Sequence, residues 1–177
     1  VIETLNINTL GNTTDFGNLT NARVNKGNAG SSSTRGIFAG GTAAGNTKQD
    51  VMDFCTIATA GNATDFGNLA AANTTCTSSS SNTRSITMGG QEAARTDRCQ
   101  YVTIANTGNT TDFGNLTEVL AEITSCSSPT RAFAFSRQSG GSNQIEFITI
   151  ATTGNGTDFG NMTVSVETPG ALSSNTR

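Results

Sequence analysis

The stretch Gly108-Asn-Thr-Thr-Asp-Phe-Gly-Asn-Leu116 decides the fold, because close copies of it occur three more times along the chain. Their aspartates lie 50, 47 and 46 residues apart, at Asp15, Asp65, Asp112 and Asp158. A fixed period of this length indicates a repeat protein, in which each unit buries its apolar face against its neighbours. The sequence therefore predicts one repeat domain over residues 1–177.

Each copy of this phrase lies between two strand-like segments. In the last copy, residues 145–152 alternate apolar and polar side chains, 153–156 form a turn cluster, and 159–164 form a returning strand. The pattern predicts a β-hairpin, and it recurs at 51–70 and 98–117. A weaker copy occupies 1–20, where Thr4 and Asn6 replace the strand-forming residues of the other copies.

A Thr-Arg dipeptide lies upstream of the later three hairpins. It occurs with Arg35, Arg84 and Arg131, and a fourth copy ends the chain at Arg177. The first three are followed by strand-like runs at 36–41, 85–90 and 132–137, and the first two of these runs end in Gly-Gly, which suits a tight turn. The Ser/Thr-rich connection after each hairpin is a candidate for a fourth strand.

Three or four short antiparallel strands per repeat are the content of a propeller blade. Complete units span 34–70, 83–117 and 130–163, with a half unit at 1–20 and a C-terminal connection at 164–177. The half unit has no upstream inner strand, so we expect either that the polypeptide continues or that several copies share blades. Two such chains would give about seven blades, within the usual range of four to eight.

The composition excludes several classes of function. Charged residues make up 13% of the chain, against about 25% in ordinary proteins, and the net charge is −3. Nucleic-acid binding needs a dense basic surface, and a membrane span needs about 20 apolar residues, so neither partner is expected. The four cysteines lack metal-ligand spacing and are expected to be free structural thiols: Cys55, Cys76, Cys99 and Cys126.

The repeated aspartates are candidates for calcium ligands or for braces of their own turns. One carboxylate per turn is few for a cation that prefers six to eight oxygens, so turn bracing is the stronger interpretation and no metal or cofactor is expected. The triplet Asp-Phe-Gly also occurs in kinases, but the other kinase motifs are absent. The eight glycosylation sequons are explained by the repetition itself, and the serine runs 31–33 and 78–81 are interpreted as solvated loops.

The Gly-Gly pairs and the aromatic residue of the third strand resemble kelch-like β-propeller repeats, although this chain has no Trp where kelch blades usually carry one. The turn around Asp15 and Asp112 resembles the Asp-box of sialidase-type propellers, in which the aspartate is structural. The whole consensus resembles repeats in virion structural proteins of tailed phages, especially those of cyanophages. The resemblance covers nearly the entire chain and implies an all-β propeller or partial propeller.

The repeated arginines Arg35, Arg84, Arg131 and Arg177 allow two interpretations. In the first, a ring of forked guanidinium groups binds anionic sugars or carboxylates, as in sialidases. A sialidase also needs a Tyr nucleophile with an acidic partner, and the only tyrosine here, Tyr101, lies in an apolar strand. The stronger interpretation is hydrogen bonding between repeats, with aspartates or carbonyls of a neighbouring turn as partners.

The resemblance implies a non-enzymatic structural or adhesion module of a virion. Its partners would be other virion proteins, copies of itself or a host surface glycan, and variable loops at 21–33, 71–82 and 118–129 would be presented to them. The alternatives are a sialidase-like glycan-processing enzyme and a cellular kelch-type protein-interaction scaffold.

Overall fold

Within the described residues, the fold is built from short antiparallel strands and one 3-10 turn at Ala44–Asn46. The computed structural model describes residues 1–23, 28–135, 143–166 and 169–174. The first unit is a two-stranded hairpin of β1 (Ile2–Thr4) and β2 (Thr14–Gly17). It is the half unit that the sequence predicts, and its strands are the shortest of the four hairpins.

The second unit is a sheet whose strands follow one another in chain order. It consists of β3 (Asn28–Ser31), β4 (Arg35–Ala39), β6 (Thr47–Thr56) and β7 (Thr64–Asn73), with the two-residue β5 (Thr42–Ala43) pairing beside β6. The third unit repeats this order with β8 (Thr77–Ser80), β9 (Arg84–Met88), β10 (Thr96–Thr103) and β11 (Thr111–Leu120).

The fourth unit has the same order, with β12 (Thr124–Ser127), β13 (Arg131–Phe135), β14 (Gln144–Thr149) and β15 (Thr157–Asn161). All strand pairs within the units are antiparallel. The all-β prediction is therefore confirmed, as are the four hairpins. The described strands form separate sheets, and no closed ring of sheets is found among them.

The apolar core lies between consecutive units. One buried cluster joins Phe66 and Leu69 of the second unit to Val102 and Ile104 of the third. A second cluster joins the third and fourth units, and it packs Phe113 against Ile148 and Ile150. The second and third units therefore each bury a face against the next unit, as the repeat period predicts.

The Ser/Thr-rich connections contain the first strand of each of the later three units, which confirms the additional strand expected there. The strand β3 lies within 21–33, β8 lies within 71–82, and β12 lies within 118–129. Thr77 and Ser79 of β8 are buried. The interpretation of these segments as exposed variable loops is therefore wrong. Their small hydroxyl side chains allow the first strands of neighbouring units to approach each other closely. Ser31 N donates to Ser80 Oγ over 3.0 Å, and Ser125 Oγ donates to the carbonyl of Ser78 over 2.9 Å.

Glycine pairs end the second strand of the second and third units. Gly40 and Gly41 have φ of 63° and 102°, and Gly89 and Gly90 have φ of 57° and 105°, a region that favours glycine. The tight turn predicted for both pairs is present. The third pair, Gly140 and Gly141, lies outside the described residues.

Candidate functional site

The Thr-Arg dipeptide follows a tight turn between the first and second strands. In the third unit, Ser81 Oγ accepts hydrogen bonds from the backbone amides of Thr83 and Arg84, each over 3.2 Å. Ser32 and Ser128 accept the same pair of bonds in the other units. A serine three residues before each arginine therefore fixes the start of the second strand, as serine commonly does in turns.

The turn directs two of the arginines to the next unit. Arg35 Nη1 donates to the carbonyls of Ile104 and Ala105 over 3.0 and 2.8 Å. Arg84 Nη1 donates to the carbonyls of Ile150 and Ala151 over the same distances. These are the contacts between repeats that the sequence analysis favours for Arg35 and Arg84, with carbonyls rather than aspartates as partners.

Each arginine also packs on an aromatic ring of its own sheet. The guanidinium carbons of Arg35, Arg84 and Arg131 lie 4.6 Å from the ring centroids of Phe54, Tyr101 and Phe147, respectively. A cation over an aromatic face is attracted to it and is held in one orientation. The single tyrosine of the chain therefore acts in the third unit as phenylalanine does in the others.

A second contact joins the fourth strand of each unit to the hairpin turn of the next. The carbonyls of Phe16, Phe66 and Phe113 accept from the amides of Gly61, Gly108 and Gly154 over 2.7 to 2.8 Å. The asparagine that follows each of these turn glycines accepts, through its Oδ1, the amide of Asn18, Asn68 or Asn115 over 3.0 to 3.1 Å. The repeated phrase thus supplies both sides of every junction.

The close backbone approach explains the glycine of the Phe-Gly-Asn triplet. A Cβ added to Gly114 would lie 2.5 Å from the carbonyl oxygen of Gly154, and its φ is 139°. Gly17 and Gly67 are in the same situation, at 2.2 and 2.4 Å from the next turn. Gly160, at the same position of the last unit, has φ of 139° but no atom within 4 Å of the added Cβ.

A buried polar side chain forms the third contact between units. Asp53, Gln100 and Glu146 occupy one position of the third strand, eight residues before the turn glycine, and are at most 1% exposed. Gln100 Oε1 accepts the amide of Ala70 over 2.9 Å, and Glu146 Oε2 accepts the amide of Thr117 over 2.7 Å. Sequence reasoning missed this position, although its polar character in every repeat was visible within an otherwise apolar strand.

Asp53 differs from its counterparts because a buried cation pairs with it. It accepts from Thr20 Oγ1 over 2.5 Å and forms a salt bridge with Arg23, whose side chain is 3% exposed. Burial lowers the pKa of Arg23, and the charge of Asp53 opposes that shift. Burial raises the pKa of Glu146, and hydrogen bonds from Thr117 lower it in part.

The repeated aspartates Asp15, Asp65, Asp112 and Asp158 are exposed at the second residue of each fourth strand. Asp158 Oδ1 accepts the amide of Gly160 over 2.9 Å, and both residues lie in β15. Bracing of the hairpin turns stays a prediction for all four aspartates. Within the described residues, no group of three or more His, Cys, Asp or Glu side chains is placed to hold a metal ion.

The last unit carries the same groups on an open face. Phe159 is 55% exposed, whereas its counterpart Phe113 is 2% exposed. Arg131 is exposed as well, and a groove of about 590 Å³ lies between these two residues and Leu172. Arg177 lies outside the described residues.

The cysteines are free thiols, and Cys55, Cys76 and Cys99 are buried. The prediction of free thiols is therefore confirmed. Burial raises the pKa of both Cys76 and Cys99 to about 12, so these thiols stay protonated and pack as small apolar groups.

Comparison with protein-family models and with curated proteins finds no match for this chain. No helix within the described ranges is long and apolar enough to cross a membrane.

Proposed function

We propose that this chain is a non-enzymatic structural or adhesion module of a tailed-phage virion, folded as part of a kelch-like β-propeller. The resemblance of the repeat supports the virion assignment. The four-stranded meanders support the propeller, because propeller blades have this strand order and because the first strands of successive units lie side by side.

The observation that carries the non-enzymatic proposal is the use of the repeated arginines. Arg35 and Arg84 donate to backbone carbonyls of the next unit and stack on aromatic rings of their own. A sialidase-type site needs such guanidinium groups free to bind a substrate carboxylate. These two arginines stabilise the stack of repeats instead.

The connections between the second and third strands are the surface best suited to presentation. Residues 40–46 and 89–95 differ in sequence, yet both begin with a glycine pair anchored to the rest of the fold. Gly41 N donates to the carbonyl of Asn73 over 2.9 Å, and Gly90 N donates to that of Leu120 over 2.6 Å. Variable segments held at rigid ends are typical of binding surfaces. We therefore propose the connections 40–46 and 89–95 as the presenting surface, in place of the loops 21–33, 71–82 and 118–129 expected from the sequence.

The test is binding of the purified chain to a panel of bacterial surface polysaccharides and to dissociated virion proteins. We expect binding to one of them, and loss of that binding when residues 92–95 are replaced by Gly-Ser-Gly-Ser. Asn106→Ala, in an exposed hairpin turn, is the matched control and should bind normally.

Turnover of a sialoside substrate that is lost in Arg84→Ala would contradict the proposal and favour the glycan-processing alternative. A stable intracellular protein partner, with no binding to virion proteins or polysaccharides, would favour the cellular scaffold.

A further inference from the structure

The three junctions between units use one set of contacts, and every contact has a direction. The earlier unit provides the carbonyl of its Phe-Gly-Asn phenylalanine, the next asparagine amide and, two residues further on, a group that bonds the buried polar side chain. The later unit meets these groups with its hairpin. From the second unit onward, the earlier unit also provides the ring of that phenylalanine and the arginine.

The fourth unit carries the same groups that the earlier unit contributes at each junction. Among the described residues, no hairpin packs on them. We call this the back face: Arg131, Phe159, Asn161 and Thr163. These are the counterparts of Arg84, Phe113, Asn115 and Thr117 in the preceding unit. The exposed ring of Phe159 and the open space beside Gly160 show that the face is accessible.

The first unit is a hairpin of the kind that the later unit contributes at each junction. We call this the front face: Glu3, Leu5, Ile7, Gly11 and Asn12. Leu5 and Ile7 are 58% and 88% exposed, whereas their counterparts Val102 and Ile104 in the third unit are 6% and 1% exposed. Glu3 occupies the position of the buried side chains of Gln100 and Glu146, yet it is exposed.

We propose that the back face of one copy of this chain binds the front face of a second copy, head to tail. Arg131 would donate to the carbonyls of Ile7 and Asn8, as Arg84 does to those of Ile150 and Ala151. Phe159 would pack under Leu5 and Ile7, and Glu3 would accept a hydrogen bond from Thr163.

The hairpin of the first unit is sufficient for all of these contacts. In the junctions inside the chain, the arginine, the asparagine amide and the buried polar contact all reach the third strand or the turn that follows it. The segment 172–174 lines one side of the groove beside Arg131 and Phe159. It continues the row of first strands, where Ser173 Oγ donates to the carbonyl of Ser127 over 2.7 Å, as Ser127 Oγ does to that of Ser80 over 3.0 Å.

Because the two faces differ, this interface is heterologous and generates either a ring or a filament. The test is sedimentation velocity of the 177-residue chain over a range of micromolar concentrations. Arg131→Glu blocks the back face and Asn12→Lys blocks the front face; both residues are exposed in the single chain, so both variants should fold. Arg95→Ala, an exposed arginine outside both faces, is the control.

We expect the wild type and the Arg95→Ala control to associate with rising concentration and each blocked variant to stay monomeric. An equimolar mixture of the two blocked variants should give a 1:1 dimer, because one intact front face meets one intact back face. Glu3→Lys and Thr163→Lys are a second blocked pair if either first variant fails to fold.

A wild type that stays monomeric throughout would overturn the proposal. So would association that persists in both blocked variants, and so would a mixture that stays monomeric. None of these outcomes depends on the ligand of the proposed function.

Discussion

One buried position of the third strand holds three different polar side chains that act in the same way. Asp53, Gln100 and Glu146 each accept a hydrogen bond from the preceding unit. Asp53 is balanced by Arg23, and Gln100 is neutral, but Glu146 Oε1 is buried and has no hydrogen-bond partner among the described residues. A buried carboxylate without a cation is unfavourable, which accounts for the raised pKa of Glu146.

Glu146→Gln is therefore expected to stabilise the protein at neutral pH. Because the pKa of Glu146 is higher in the folded chain than its ordinary value of 4.5, wild-type stability falls as the pH rises from that value through the folded pKa. The amide does not titrate, so the advantage of the variant should grow from pH 4 to pH 7. The measurement is urea unfolding at both pH values.

Glu3→Gln is the control, because Glu3 has the same position in the first unit but is exposed. It should leave the free energy of unfolding unchanged where the chain is monomeric. A Glu146→Gln variant that is more destabilised at pH 7 than at pH 4 would contradict this expectation, because it would show that the folded chain needs the charged carboxylate.

The glycines of the Phe-Gly-Asn triplets separate backbone strain from steric contact. Gly114 and Gly160 share a φ of 139°, but only Gly114 has a neighbouring turn within 4 Å of an added Cβ. We expect Gly160→Ala to cost about 1–3 kcal/mol, the usual cost of backbone strain. Gly114→Ala should cost a further 1–3 kcal/mol from overpacking, and thermal unfolding of both variants measures the difference. Equal losses would mean that the third and fourth units separate easily.

At the scale of an element, the turn before the second strand links one sheet to the next. Ser81 fixes the turn, and Arg84 extends from it to two carbonyls of the fourth unit. Arg131 has the same ring contact, but no neighbouring hairpin supplies carbonyls to it within the described residues. The two arginines therefore differ chiefly in the bonds between units.

Arg84→Ala should lower the free energy of unfolding by about 1.5–3 kcal/mol, which is typical of hydrogen bonds made by a charged group. Arg131→Ala should lower it by under about 1 kcal/mol, because only an exposed cation–π contact is lost. Both values are measured by urea unfolding at concentrations where the chain is monomeric. Similar losses would imply that stacking on the ring, rather than the carbonyl bonds, accounts for the contribution of Arg84.

Local patterns in the sequence predicted the elements well. The period gave four units, the apolar alternation gave the hairpins, and the glycine pairs gave the turns at Gly40 and Gly89. The serine segments were interpreted as loops because hydroxyl side chains lack an apolar pattern, and only the neighbouring strands show that Ser79 is buried. The role of Gln100 was missed because its partner Ala70 belongs to another unit, and a local pattern does not show a contact between units.

At the scale of the whole molecule, stability depends on neighbouring units. In a repeat protein each unit is stabilised mainly through its interfaces, so a unit with one interface is less stable than a unit with two. The third unit packs on both sides. The first unit is a hairpin in which Gly17 is the one buried residue, and a lone two-stranded hairpin is marginal in water.

Hydrogen exchange measured by mass spectrometry should therefore show a gradient along the chain. In dilute solution, peptides from residues 1–17 should exchange with little protection, and peptides covering 96–103 and 111–120 should exchange slowest, because their amides open only when both adjoining interfaces are lost. Raising the concentration should protect 1–17 in the wild type but not in Asn12→Lys, since that hairpin gains a second interface only by binding another copy. Strong protection of 1–17 in the dilute chain would contradict this gradient.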